Sequence, residues 1–138
     1  MKQKRTIFAA FLAIMLLACS FSALAAARGQ VIAAGSVTIE KESEASRKLL
    51  IEGDTESHTD SDLVLKIYVD YMPTTNGTIT YGLQSWTYTE SDDTLLTKSR
   101  TYTATASGYY RLRGYHSASA SGYGTETLTS ETNWVYVR

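Results

Sequence analysis

Chemistry has few footholds in this chain of 138 residues: two histidines, one cysteine, fourteen carboxylates, and tyrosines interleaved with arginines. A serine nucleophile needs a neighbouring base, which leaves His58 and His116 to supply it. His58 sits in Glu56-Ser57-His58-Thr59-Asp60, a polar stretch that reads as a solvated loop. His116 stands between Tyr115 and Ser117 in a strand pattern and reads as a surface or half-buried strand residue. The chain has no Gly-x-Ser-x-Gly elbow and no phosphate-cradling glycine loop. Cys19 lies in the N-terminal segment, so the rest of the chain has no thiol nucleophile, and two unrelated histidines do not make a zinc site. Asp54-Thr55-Glu56 with Asp60-Ser61-Asp62 has the oxygen ligands that calcium uses, but matches no calcium-loop spacing and reads as acidic turns in water. Glu126 with Glu131, or Asp92 with Asp93, has the residue type of glycoside hydrolysis without a spacing that singles it out. No catalytic, cofactor or metal residue is assigned, and the expectation is a non-enzymatic protein without cofactors.

Aromatic residues are the one enrichment with a mechanism attached. All ten tyrosines fall between Tyr68 and Tyr136, joined by Trp86 and Trp134. Flat rings with a polar edge suit sugars and protein surfaces. Strand alternation sets Tyr109 and Tyr115 beside Arg111 and Arg113, and puts Tyr68 opposite the apolar face of its own strand. Tyr68, Tyr109, Arg111, Arg113 and Tyr115 are therefore the candidate partner-binding residues. The same rings also stabilise sheets through cross-strand pairs without binding anything.

The elements that must hold these residues read as strands. Leu63, Leu65, Ile67, Val69 and Tyr71 alternate with Lys66, Tyr68 and Asp70, the pattern of a half-buried strand. Pro73 ends it, Asn76-Gly77 is expected to supply the positive φ angles of a tight turn, and Thr78–Leu83 begins the return strand. The apolar phase then changes from Ile79, Tyr81 and Leu83 to Trp86 and Tyr88, which predicts a bulge at Gly82 or Gln84-Ser85. Ser91-Asp92-Asp93 reads as the next turn, and Leu96 to Ala106 as a third strand with its even-numbered residues on one face. Ser107-Gly108 turns into Tyr109–His116, with Tyr110 and Leu112 on one side and Arg111 and Arg113 on the other. Ser121–Gly124 reads as a loop and Thr125–Val137 as the last strand; Ser36–Ile39 and Arg47–Glu52 are two further strands. The sum is an all-β, antiparallel, two-sheet sandwich of immunoglobulin-like kind with about seven strands.

The N-terminus reads as an export signal: Lys2, Lys4 and Arg5, an apolar run from Ile7 to Ala18, then small residues from Cys19 to Ala27. The run is shorter than the roughly twenty residues a bilayer-crossing helix needs, so no transmembrane span is expected after processing. The cut is expected after Ala25 or Ala27, leaving residues 28–138 as one domain. Leu16-Leu17-Ala18-Cys19 resembles a lipoprotein box, which would anchor the chain through Cys19. The apolar continuation Phe21–Ala25 and the poor fit of Leu17 favour release. Loss of Lys2, Lys4 and Arg5 leaves ten basic against fourteen acidic residues, a net charge of −4, which makes nucleic acid a poor partner. Without disulfides after the signal, the domain must stand on a packed core.

Ser107-Gly108-Tyr109-Tyr110-Arg111-Leu112-Arg113-Gly114-Tyr115, followed by Gly124-Thr125-Glu126-Thr127 and Ser130, resembles an uncharacterised family of small secreted β-rich proteins of Gram-positive bacteria. The resemblance implies an exported β domain and carries no activity. The function expected is a secreted or cell-surface protein that binds an envelope polysaccharide or an extracellular protein; the alternative is a released antibacterial or inhibitory polypeptide.

Overall fold

The computed structural model describes residues 31–138, so the proposed export signal and its cleavage sites lie outside the described residues. Six antiparallel strands form one hydrogen-bonded sheet that curls on itself: β1 (Ile32–Lys41), β2 (Lys48–Met72), β3 (Thr80–Thr103), β4 (Gly108–Ala120), β5 (Gly124–Glu131) and β6 (Val135–Val137). Among the described residues no helix is long and apolar enough to cross a membrane.

The architecture follows from the 25 residues of β2. Its odd-numbered side chains, Leu49, Ile51, Thr55, Leu63, Leu65, Ile67 and Val69, are buried along its whole length, because period-2 alternation commits every second residue to one face. One edge of β2 pairs with β3 throughout. The other edge is shared in succession: β1 pairs with Leu49–Ser57, and β4 with Asp62–Met72. At the handover, the four residues Ser57–Asp60 of β2 face only Thr94 of β3, and Asp92 adopts φ of 53°. The sheet bends there and brings the inner faces of β1 and β4 together. Tyr110, Leu112 and Ala118 of β4 join Val37 of β1, Leu96 of β3 and the β2 residues in a single core. Each fully buried Leu, Ile or Val side chain contributes about 1.5–3 kcal/mol.

This single curled sheet differs from the expected sandwich of about seven strands. Lys48–Glu52 of the predicted Arg47–Glu52 strand and Leu63–Tyr71 belong to one strand, and Ser91-Asp92-Asp93 is a bend inside β3 rather than a chain reversal. The same residue types serve both purposes, since Asp and Ser are favoured in turns and Asp also tolerates the left-handed backbone that this bend adopts at Asp92. The predicted last strand is instead two, β5 and β6, parted at Thr132–Trp134. Asn76-Gly77 lies in the β2–β3 connection as expected, but neither residue has positive φ. The connection spans seven residues and closes with Gly77 N–H donating to Thr74 C=O at 2.8 Å, so it needs no mirror-image turn. The predicted bulge is present: Asp70 of β2 faces three residues, Tyr81, Gly82 and Leu83, and Gly82 has φ of 63°.

Candidate functional site

Four of the candidate residues are built on the outer face of β4, whose even-numbered residues face the core and whose odd-numbered ones, Tyr109, Arg111, Arg113 and Tyr115, face outward. The ladder to β2 sets Lys66 opposite Tyr115, Tyr68 opposite Arg113, and Asp70 opposite Arg111. On the other side, β5 sets Thr129 beside Tyr115 and Glu131 beside Arg113. An open groove of about 600 Å³ results, lined by Tyr68, Arg113, Gly114, Tyr115, Thr129, Ser130 and Glu131.

Asp70 organises this face. Its carboxylate is fully buried and accepts four hydrogen bonds, from Arg113 Nε (2.7 Å) and Nη2 (3.0 Å), Arg111 Nε (3.2 Å) and the Gly82 N–H (2.9 Å). Burial by itself raises the Asp70 pKa, but hydrogen bonds from Arg113, Gly82 and Arg111 outweigh it and hold the group below its usual value. The bidentate grip fixes Arg113 with its guanidinium 5.4 Å from the centre of the Tyr68 ring and 5.3 Å from that of Tyr81. Tyr81 is an addition that alternation alone does not give, because the three-residue bulge re-aims it. Arg111 lies 4.8 Å from the centre of the Trp134 ring and pairs with Glu131 at 3.2 Å. Lys66 lies 5.5 Å over Tyr115.

The structure therefore brings Tyr68, Arg113 and Tyr115 into one groove, with Arg111 beside it. Tyr109 stands apart, two residues along β4, against Tyr136 of β6 with ring centroids 5.0 Å apart. The role of Asp70 could have been anticipated from its place on the same face as Lys66 and Tyr68, since alternation aims it at the arginines of the next strand.

His116 departs from its expected surface or half-buried setting: it has no exposed surface. Its Nδ1 lies 3.0 Å from Thr55 Oγ1, and its Nε2 lies 2.7 Å from Ser130 Oγ. Gly35 of β1 leaves no space for a Cβ against the ring, and a Cβ on Gly114 would lie 2.6 Å from Nε2. Burial lowers the His116 pKa, opposed by the field and the backbone of Asp54, so the imidazole is neutral at neutral pH. Serine and histidine are within hydrogen-bond distance here, but the imidazole is enclosed on the inner side of the sheet. The pair satisfies a buried ring, and among the described residues no buried side-chain nitrogen or oxygen lacks a partner.

Several of the remaining polar candidates have hydrogen-bond partners. His58 is exposed, as expected, though within β2 instead of a loop, and its N–H donates to Val31 C=O at 2.8 Å. Asp54 accepts from Ser36 Oγ, and Asp93 Oδ1 accepts from the N–H groups of Thr94 and Leu95. Glu126 accepts from the N–H groups of Val31 and Ile32, both at 3.0 Å. Among the described residues no group of three or more His, Cys, Asp or Glu converges as a metal site would require.

No curated protein matches the chain. Residues 20–134 match the model of a family described as a family of unknown function, DUF6147. That match takes in all of β1 to β5, with the Asp70 network and the groove, and the chain belongs to this family.

Proposed function

We propose that the chain is an exported, non-enzymatic binding protein whose outer β2–β4–β5 face holds an extended sugar polymer of the cell envelope. The observation that carries this reading is the groove, which displays the two rings of Tyr68 and Tyr115 between polar groups of both signs, Arg113 and Glu131. Sugar hydroxyls donate and accept hydrogen bonds, and a mixed lining answers both needs. A protein partner usually places large aromatic or aliphatic anchors in closed, desolvated pockets, and this groove is open and has no aliphatic side chain in its lining. The enclosed His116 supports binding over turnover, because its partners Thr55 and Ser130 occupy both ring nitrogens. Export is supported by Lys2, Lys4, Arg5 and the apolar run Ile7–Ala18.

Co-sedimentation of the purified protein with isolated bacterial envelopes and with insoluble polysaccharides tests the reading. Saturable pelleting is expected, weakened at least tenfold, or about 1.4 kcal/mol, by Tyr115→Ala. Pelleting unchanged by Tyr115→Ala would remove the groove from the interaction, and no pelleting with any polymer would refute the function.

A further inference from the structure

Charged and aromatic side chains alternate in a regular pattern on the face that carries the groove. Lys66 faces Tyr115 and Tyr68 faces Arg113 across the β2–β4 ladder, so cations occupy one diagonal of a four-residue cell and rings the other. Diagonal neighbours on such a ladder are about 7–8 Å apart, within reach of a single sugar unit and its substituent. Asp70 takes Nε and Nη2 of Arg113, and among the described residues Nη1 makes no hydrogen bond. Lys66 forms neither an ion pair nor a hydrogen bond among the described residues; it only overlies Tyr115. Glu131, the one carboxylate lining the groove, is held by Arg111 at 3.2 Å, and Asp70 is sealed beneath both arginines. Two donors of positive charge are thus left facing outward in a chain that is acidic as a whole, with fourteen acidic residues to thirteen basic.

We infer that the groove, with Lys66 at its border, takes an anionic glycan, its acidic substituent held between the Lys66 ammonium and Arg113 Nη1 and an adjoining sugar ring laid on the part of Tyr115 that lines the groove. This rests on the proposal that the groove binds a polymer and adds the class of polymer. Carboxylate and phosphodiester groups both fit the two donors, and the experiment separates them. An acidic peptide offers the charge but no saturated ring for the tyrosine face, which favours the glycan.

The test is a titration of the purified protein, followed by tryptophan fluorescence, with four soluble polymers. They are a polyuronate, the same polymer with its carboxyls reduced to alcohols, a poly(glycerol phosphate) and polyglutamate, each at low and raised salt. The expected result is at least tenfold tighter binding of the polyuronate, the poly(glycerol phosphate) or both than of the reduced polymer. Raised salt narrows that margin, because about 1 M salt shortens the screening length to about 3 Å. Lys66→Gln narrows it too, and as a half-exposed side chain outside the Asp70 network its replacement leaves the fold in place. Which acidic polymer binds tighter identifies the acidic group. Equal affinity for the polyuronate and its reduced form would overturn the charge selectivity and leave the binding groove standing. Polyglutamate binding as tightly as the acidic glycans would overturn the glycan in favour of an acidic protein segment. Binding of none of the four would refute this inference, and pelleting with the insoluble polysaccharides of the co-sedimentation assay would then tell whether the groove reading survives.

Discussion

Asp70 has no solvent of its own and four donors, so its charge is worth keeping only while the arginines stay. Asp70→Asn leaves the Arg113 guanidinium without a counter-charge and Arg111 with Glu131 alone, beside a buried amide. Breaking a fully buried pair from one side costs about 3–5 kcal/mol; with the Arg113 side chain 37% exposed, urea denaturation should show a loss at or below the lower end of that range. His116 makes the complementary case. Its folded pKa lies below the ordinary value of 6.5, so the unfolded chain binds the proton more readily. The stability it contributes is complete above about pH 6.5 and is lost progressively as the pH falls toward its lowered folded value. Asp54 is the charged group whose field opposes that loss. Thermal melts are expected to drop between pH 7.5 and 5.5, and His116→Gln should flatten this window. Asp70 is also depressed, but from 3.8, so its contribution fades only at more acidic pH and the two windows are separable.

Strand elements here depend on a few positions where the regular ladder is broken. At the bulge, Gly82 both adopts a left-handed backbone and donates its N–H to Asp70. Gly82→Ala is expected to cost about 1–2 kcal/mol, since a Cβ in that conformation crowds the following carbonyl. At Gly114 the demand is for space: a Cβ would lie 2.5 Å from Ser130 Oγ and 2.9 Å from Val37 Cγ1, as well as near the imidazole. Gly114→Ala should therefore destabilise by about 1–3 kcal/mol through overpacking, read as a lower urea midpoint with an unchanged slope. The bulge was legible because the apolar phase changes between Leu83 and Trp86. The closeness of Gly114 to His116 and Ser130 was not, because nothing local in β4 announces which strand will cross its inner face.

For the whole molecule, the decisive event is the closing of the curl. β1 leaves the edge of β2 where β4 takes over, and its start is fastened to β5 by the Glu126 carboxylate, which accepts from the N–H groups of Val31 and Ile32. Glu126→Ala strands two backbone donors, one of them on the fully buried Val31. Each unsatisfied donor costs about 1–3 kcal/mol. Hydrogen exchange is expected to accelerate first in residues 31–37 and to leave the β2–β4 ladder protected; uniform acceleration across all strands would show that β1 does not open as a unit.

Alternation in β2 and β4 determined by itself which side chains face the core and which face outward, because the pleat turns successive residues to opposite sides whatever the surroundings. Tyr68, Arg111, Arg113 and Tyr115 were legible on that ground, as were the all-β class and the bulge. The tertiary structure alone decided that β2 and β3 run unbroken through the bend, that His116 is sealed inside, that Asp70 holds both arginines, and that Tyr109 pairs away from the groove. Those outcomes depend on which distant strands meet. A turn and a bulge draw on the same residues, so local sequence cannot tell whether a chain at Asp92 reverses or merely bends.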